Sequence, residues 1–166
     1  MEEVLPPQTQ HAAGFEPPRV HQFTVFMENR VGRLQSLVRA YEQTTGRIIS
    51  LSIHNQADTA LVRIICSDPD LARDVLQHDL FSFAEQELLV VELPSLPQPL
   101  SAICSVLLTA ELNIHYAYPL MLRPAGPALA LYIDDPVLAA QLLIKKGFKL
   151  ISDSDLRNSP PPTPQP

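Results

Sequence analysis

Positive charge is scarce in this chain, and so are cysteines and long apolar runs. Twelve lysines and arginines are set against eighteen acids in 166 residues, leaving a net charge of −6. The basic residues are also dispersed, so no concentrated basic face exists for nucleic-acid phosphates, and no nucleic-acid partner is expected. No apolar stretch approaches the roughly 20 residues that cross a bilayer. The opening "MEEVLPPQTQ" has neither the basic start nor the apolar run of a secretion signal. No membrane partner is expected either, and the expected location is the cytoplasm. Cys66 and Cys104 each stand alone in apolar surroundings and read as reduced core residues.

Catalytic patterns are missing too. His11, His21, His54, His78 and His115 fall on separate elements, and neither a C-x-x-C nor an H-x-x-x-H spacing occurs. There is no Walker loop and no G-x-G-x-x-G. The expectation is a non-enzyme with no catalytic residue, no cofactor and no metal.

What the chain does contain is an internal repeat. "FTVFMENRVGRLQSL" from Phe23 overlays "LVVELPSLPQPLSAI" from Leu89 at an offset of 66, so Phe23 faces Leu89, Val25 faces Val91 and Leu34 faces Leu100. Further on, "CSDPDLARDVL" matches "IDDPVLAAQLL" at an offset of 67. Each copy begins with a strand, near 21–27 and 87–93. A helix follows, with apolar residues at i, i+3, i+4, i+7: Leu34, Leu37, Val38 and Tyr41, then Leu100, Ile103, Cys104 and Leu107. Two strand-like runs come next, "RIISLSIHN" and "ALVRIIC" in copy one, joined by a short turn at Gln56, Ala57 and Asp58. "NIHYAYPLML" and "ALALYI" answer them in copy two, joined through "RPAGP".

Asp68-Pro69 and Asp135-Pro136 open a second helix in each copy, the aspartate as cap and the proline at the first helical position. Gly147, behind Lys145 and Lys146, closes the later one. Last strands are expected near 80–85 and 148–153. The order β-α-β-β-α-β, twice, predicts an α+β fold of two tandem ferredoxin-like units, each an antiparallel sheet with its helices on one face. "FAEQELLVVEL" leaves almost no linker between copies, so the sheets are expected side by side. A homodimer is expected to cover the remaining apolar sheet face. The boundaries are a disordered tail at 1–20, units at 21–86 and 87–156, and a disordered proline-rich tail at 157–166.

A strand followed by "ENRVGRL", then "GRIISLSI", then "SDP" at a helix start resembles an ACT domain, and "ELNIHYAYPL" with "DDP" is similar to the second half of bacterial tandem ACT proteins. The likeness runs over about residues 21–156. It implies a stand-alone regulatory module that binds a small ligand, most often an amino acid, at the interface between paired domains, and that acts on enzymes of amino-acid metabolism.

Chemistry supports the same loop independently. A helix start offers unpaired N–H groups and a positive dipole end to a carboxylate. Gly32 permits close backbone approach; Arg30 and Arg33 suit a carboxylate; Glu28 and the Asn29 oxygen suit an ammonium group. Asn29, Arg30, Val31, Gly32, Arg33 and Leu34 are therefore the candidate cradle. The resemblance implies that the loop faces the second strand of the other copy, where His115, Tyr116 and Tyr118 are the candidates; alternation puts Ile114, Tyr116 and Tyr118 on one face and His115 and Ala117 on the other. The loop of copy two, Pro94–Leu100, has Gln98 and Pro99 in place of Gly32 and Arg33, so the two sites are expected to differ. Two rival readings stand beside the sensor: a subunit docking on a biosynthetic enzyme, like the acetolactate synthase small subunit, and a structural protein that has lost its ligand.

Overall fold

The structure, a computed structural model, describes residues 14–121 and 125–160; the remainder of both expected tails, and Leu122 with the first residues of "RPAGP", lie outside the described residues. Unit one runs β1 (Val20–Glu28), α1 (Arg33–Glu42), β2 (Ile48–Gln56), β3 (Thr59–Cys66), α2 (Pro69–His78) and into β4 (Ser82–Glu92). Unit two shares β4 and continues through α3 (Pro99–Thr109), β5 (Ile114–Pro119), β6 (Ala128–Ile133), α4 (Pro136–Lys145), β7 (Leu150–Ile151) and a short α5 (Asp153–Arg157).

Local chemistry explains most of these bounds. The Asp68 side chain accepts from the backbone N–H groups of Asp70 and Leu71, and Asp135 from that of Leu138, each with proline at the helix start. Gly147 follows α4 at φ 84°, a left-handed position that costs glycine little. The last strand is shorter than the sequence pattern suggests. Ser152 caps α5 in a reciprocal box with Asp155, and this satisfies the backbone as a helix where a strand was expected.

The strands hydrogen-bond in the order β2-β3-β1-β4-β6-β5, with β7 also on β4. β4 joins the units: its first half pairs with β1 (Val20 opposite Leu88), its second with β6 and β7 (Leu89 opposite Leu131, Val90 opposite Ile151). The boundary read at 86/87 therefore falls inside one continuous strand.

Three cores result. Phe23, Val25 and Val62 pack under α1 and α2 with Leu37, Tyr41 and Leu76. Leu89, Val91 and Leu131 pack under α3 and α4 with Ile103, Leu107 and Leu143. The repeat is thus real in three dimensions, since Phe23 and Leu89, and Val25 and Val91, take equivalent helix-facing positions. The third core lies between the two sheet halves, where Val20, Ile49 and Ile65 of unit one meet Val90, Tyr118, Leu120 and Ala130 of unit two.

That third core means the sheet curls until its open faces meet. Its end strands close on each other, with the Met121 N–H donating to the Ile49 carbonyl at 2.9 Å and the Ser50 hydroxyl to the Pro119 carbonyl at 2.5 Å. The apolar sheet face that a homodimer was expected to cover is covered within the chain.

Two readings of the apolar positions change with this packing. Cys66 is buried but Cys104 is exposed, so only the first is a core residue. On α3, Ile103 and Leu107 face the sheet while Leu100 is 51% exposed, whereas its counterpart Leu34 packs on its core. The tails are partly tied down as well. Phe15 packs on the core of unit two. Arg157 pairs with Asp68 at 3.0 Å, and Arg47 donates to the Ser159 carbonyl at 2.7 Å, so the start of the expected proline-rich tail is docked.

Candidate ligand site

β1 ends at Glu28, and the next four residues turn the chain into α1. The Asn29 N–H donates to the Asp58 carbonyl at 2.9 Å, and its side-chain amide to the Ala57 carbonyl at 3.2 Å, so Asn29 fastens the loop to the β2–β3 hairpin. Its side-chain oxygen is left for another donor. Gly32 occupies the N-cap position of α1 at φ 88°. Among the described residues no side chain caps this helix, and no acid stands in its first turn. The positive end of the helix is therefore uncompensated, unlike those of α2 and α4.

The charged residues of the loop are differently engaged. Arg30 pairs with Glu28 at 3.1 Å, both well exposed, a contact that solvent weakens and a ligand can exchange. Arg33 lies over the Phe81 ring at 6.0 Å and has no acidic partner among the described residues. Val31 is fully exposed at the tip.

Of the hollows that adjoin the loop, two border Arg33. One, of about 180 Å³, is walled by Asn29, Arg30, Arg33 and Leu34 on the loop side and by Ile53, Asn55 and Val62 on the strands. The other is broader, about 630 Å³, and opens over Phe26, Leu80 and Phe81 beside Arg30 and Arg33. Ile53, Asn55 and Phe81 escaped the sequence reading because nothing in their spacing points to this loop; only the folding of β2 and the α2–β4 turn brings them there.

His115, Tyr116 and Tyr118 stand elsewhere, at the junction between the units. A bulge between Ile114 and Tyr116 breaks the expected alternation. Ile114 turns toward the helix-side core, while Tyr116 and Tyr118 face the other sheet half and His115 lies 5.3 Å from the Tyr132 ring. The Tyr118 hydroxyl donates to the Gln22 side-chain oxygen at 2.6 Å, and the Tyr116 hydroxyl to Gln86 at 3.1 Å. The Arg63 guanidinium rests over the Tyr116 ring at 4.2 Å. Gln22, Arg63 and Gln86 were missed; the available signal was Arg63, a lone charged residue in the apolar run "ALVRIIC".

Arg63 pairs with Thr24 across the sheet, four residues before Glu28 on β1. At about 3.3 Å per residue the tyrosine ring and the loop are roughly 13 Å apart along that strand. The structure thus brings Asn29 to Leu34 together, and His115, Tyr116 and Tyr118 together, as two separate groups. At the loop of unit two, Gln98 has φ −138°, far from the left-handed value of Gly32, and Pro99 occupies the first helical position. It lacks the left-handed glycine, the two arginines and one backbone N–H.

A family profile described as an ACT domain pair matches residues 19–159. The chain belongs to this family. Among solved structures, this ACT domain pair is similar to protein BT0572 from Bacteroides thetaiotaomicron, with TM-score 0.77 and 23% identity over 86% of this chain and 98% of that one. It is similar in fold to the regulatory subunit of aspartate kinase from Thermus thermophilus, a ligand-free form, with TM-score 0.52 and 10% identity over 78% and 93% of the two chains. The regulatory subunit of aspartate kinase from Thermus flavus gives TM-score 0.50 and 12% identity over 78% and 90%. No curated protein matches the chain. Among the described residues no helix is long and apolar enough to cross a membrane, and no three histidine, cysteine or acidic side chains are placed to hold a metal ion.

Proposed function

We propose that this ACT domain pair is a cytoplasmic, non-catalytic sensor of a small zwitterion, a free amino acid, bound at the loop from Asn29 to Leu34. The observation that carries the reading is the uncapped start of α1, opening beside Arg33 onto the hollow of about 180 Å³. In this reading the ligand carboxylate meets the first-turn N–H groups and Arg33, taking the place of the Arg30 carbonyl that the Arg33 N–H now reaches at 3.3 Å. Its ammonium group meets the Asn29 oxygen and Glu28, the latter leaving Arg30. Leu34, Ile53 and Val62 form the apolar wall for its side chain.

In this reading the output is regulation of an enzyme of amino-acid metabolism; the two Thermus proteins of similar fold are regulatory subunits of aspartate kinase. His115, Tyr116 and Tyr118 enter at one remove. Tyr116 and Tyr118 lock unit two onto β1, the strand that ends in the loop, while His115 packs on Tyr132 within unit two, so a ligand that draws the loop inward also acts on the junction between units.

A thermal-shift screen against the twenty amino acids tests this, because a ligand present at about 100 times its Kd adds roughly 2.7 kcal/mol of stability. One amino acid that raises the midpoint of the native chain, and fails to raise that of Arg33→Gln, is the expected result. No shift with any of them, together with stable co-purification of a biosynthetic enzyme, would replace the sensor by a docking subunit.

A further inference from the structure

The repeat lets each corner of unit one be compared with its twin in unit two. α2 ends with the Leu80 N–H donating to the Gln77 carbonyl at 3.2 Å and the Phe81 N–H to the Leu76 carbonyl at 2.9 Å. α4 ends identically, with Gly147 donating to Ile144 at 2.9 Å and Phe148 to Leu143 at 3.0 Å. The left-handed position is glycine in unit two, at φ 84°, but Leu80 in unit one, at φ 55°. A leucine is strained there, and it gains little packing in return, being 90% exposed. Neighbouring positions differ in the same sense. Phe26 is 42% exposed and stands opposite Ser82, where unit two has the ion pair of Glu92 and Lys149 at 3.4 Å. Val31 is fully exposed where unit two has Pro97. The fold does not require these three apolar side chains, since its twin is built without them.

Phe26, Val31 and Leu80 border one hollow, the broad one of about 630 Å³. We propose that this corner docks a segment of a different protein that carries carboxylates beside large apolar side chains. Val31 and Leu80 stand out into solvent, so a small molecule lying in the hollow would leave both wet, whereas a protein surface laid across them buries them. Charge selects the kind of surface. Arg30 and Arg33 adjoin the hollow in a chain of net charge −6, and Glu28, the acid in its lining, is already paired with Arg30. Arg33 has no acidic partner among the described residues, and the uncapped positive end of α1 opens at the same corner. Carboxylates are the complement of that rim. A second copy meeting corner to corner would set each pair of arginines against the other, which an isologous contact cannot avoid. The proposal does not rest on the amino-acid reading, because Phe26 and Leu80 line this hollow and not the one of about 180 Å³.

The test selects a phage-displayed library of random peptides on the native full chain, then titrates the recovered peptides by fluorescence anisotropy. Two variants accompany it: Leu80→Gly, and Phe26→Glu combined with Ser82→Lys. Both install what unit two already has, so both are expected to fold and to melt within a few degrees of native. The expected peptides join aspartate or glutamate to leucine, isoleucine, phenylalanine or tryptophan. Their affinity is expected to fall with added salt and to drop by about tenfold or more in each variant, as loss of a buried anchor does. The stabilisation of either variant by an amino acid is expected to match that of the native chain, which separates this surface from the ligand loop. Recovery of no binding peptide overturns the proposal, as do peptides that are basic or uncharged. Peptides whose affinity survives Leu80→Gly overturn it even if the double variant does not fold. A native dimer that Leu80→Gly dissociates would give the corner to a second copy and overturn it equally.

Discussion

The hydroxyl of Tyr118 donates a 2.6 Å hydrogen bond to the side-chain oxygen of Gln22, tying β5 of the second unit to β1 of the first. Gln22 is fully buried, and its amide nitrogen reaches Thr24, Gln86 and Tyr116 at 3.1, 3.0 and 2.9 Å. Burial also pushes the Tyr118 phenol above its ordinary pKa, so it remains a donor at any pH the protein meets. Tyr118→Phe removes the donor and leaves a buried oxygen without its partner, at a cost of about 1–3 kcal/mol in urea unfolding. Paired with Gln22→Met in a double-mutant cycle, it should show a coupling of about 0.5–3 kcal/mol. Strict additivity would mean that the two side chains do not act on each other.

Gly32→Gln tests the loop. Open space surrounds the position, so the cost arises from the backbone alone, φ 88° being unfavourable for any residue with a Cβ by about 1–2 kcal/mol. The variant should fold, melt slightly earlier and lose affinity for whichever amino acid stabilises the native chain. Gln98→Gly, at the matching place in unit two, should leave that affinity unchanged. Calorimetric titration of both would decide, and equal losses would refute the asymmetry.

Arg73 sets the acid limit of one ion-pair group. Its guanidinium meets Glu85 at 2.5 and 2.9 Å and Asp70 at 3.0 Å, and its hydrogen bonds hold both carboxyls below their ordinary values of 4.5 and 3.8. Carboxyls with a lowered folded-state pKa bind fewer protons folded than unfolded. Their stabilisation is complete above the unfolded values and is lost as pH falls through the folded ones. Arg73→Met should therefore be less stable than native at neutral pH, and the gap should close as pH drops below about 4. The groups are largely exposed, so the gap is small. A gap that stays constant with pH would assign the loss to packing on Phe23 instead.

Ala57 sits at φ 45° in the two-residue turn between β2 and β3. Asparagine tolerates the left-handed region that such hairpin turns require, whereas alanine is strained there. Ala57→Asn should raise the melting midpoint by about 2–4 °C, the shift that about 1 kcal/mol produces in a chain of this length. The same site receives the Asn29 amide on its backbone carbonyl, which the substitution keeps.

The helix starts at Asp68 and Asp135 and the stop at Gly147 were legible because a cap is a local bargain between a side chain and the nearest backbone groups. The repeat was legible because the faces of strands and helices follow from fixed periods of 2 and 3.6. Leu100 and Cys104 show where that reading fails. Their spacing suits the buried stripe of α1, but spacing cannot say how a helix is rolled on its sheet. Tyr116 fails for a related reason, since a single bulged residue moves every later side chain to the opposite face.

Sequence alone determined the element order, the caps, the division into two related units and the singular loop at Gly32, because each is carried by short-range spacing of residue types or by its recurrence 66 residues further on. Tertiary structure decided that β4 serves both units, that the sheet curls until Gln22 meets Tyr118, that the loop and the tyrosines lie apart, and that α3 presents an apolar stripe outward. Those outcomes rest on contacts between residues up to 96 positions apart. Such contacts are set by which surfaces best exclude water together, and no local pattern encodes that choice.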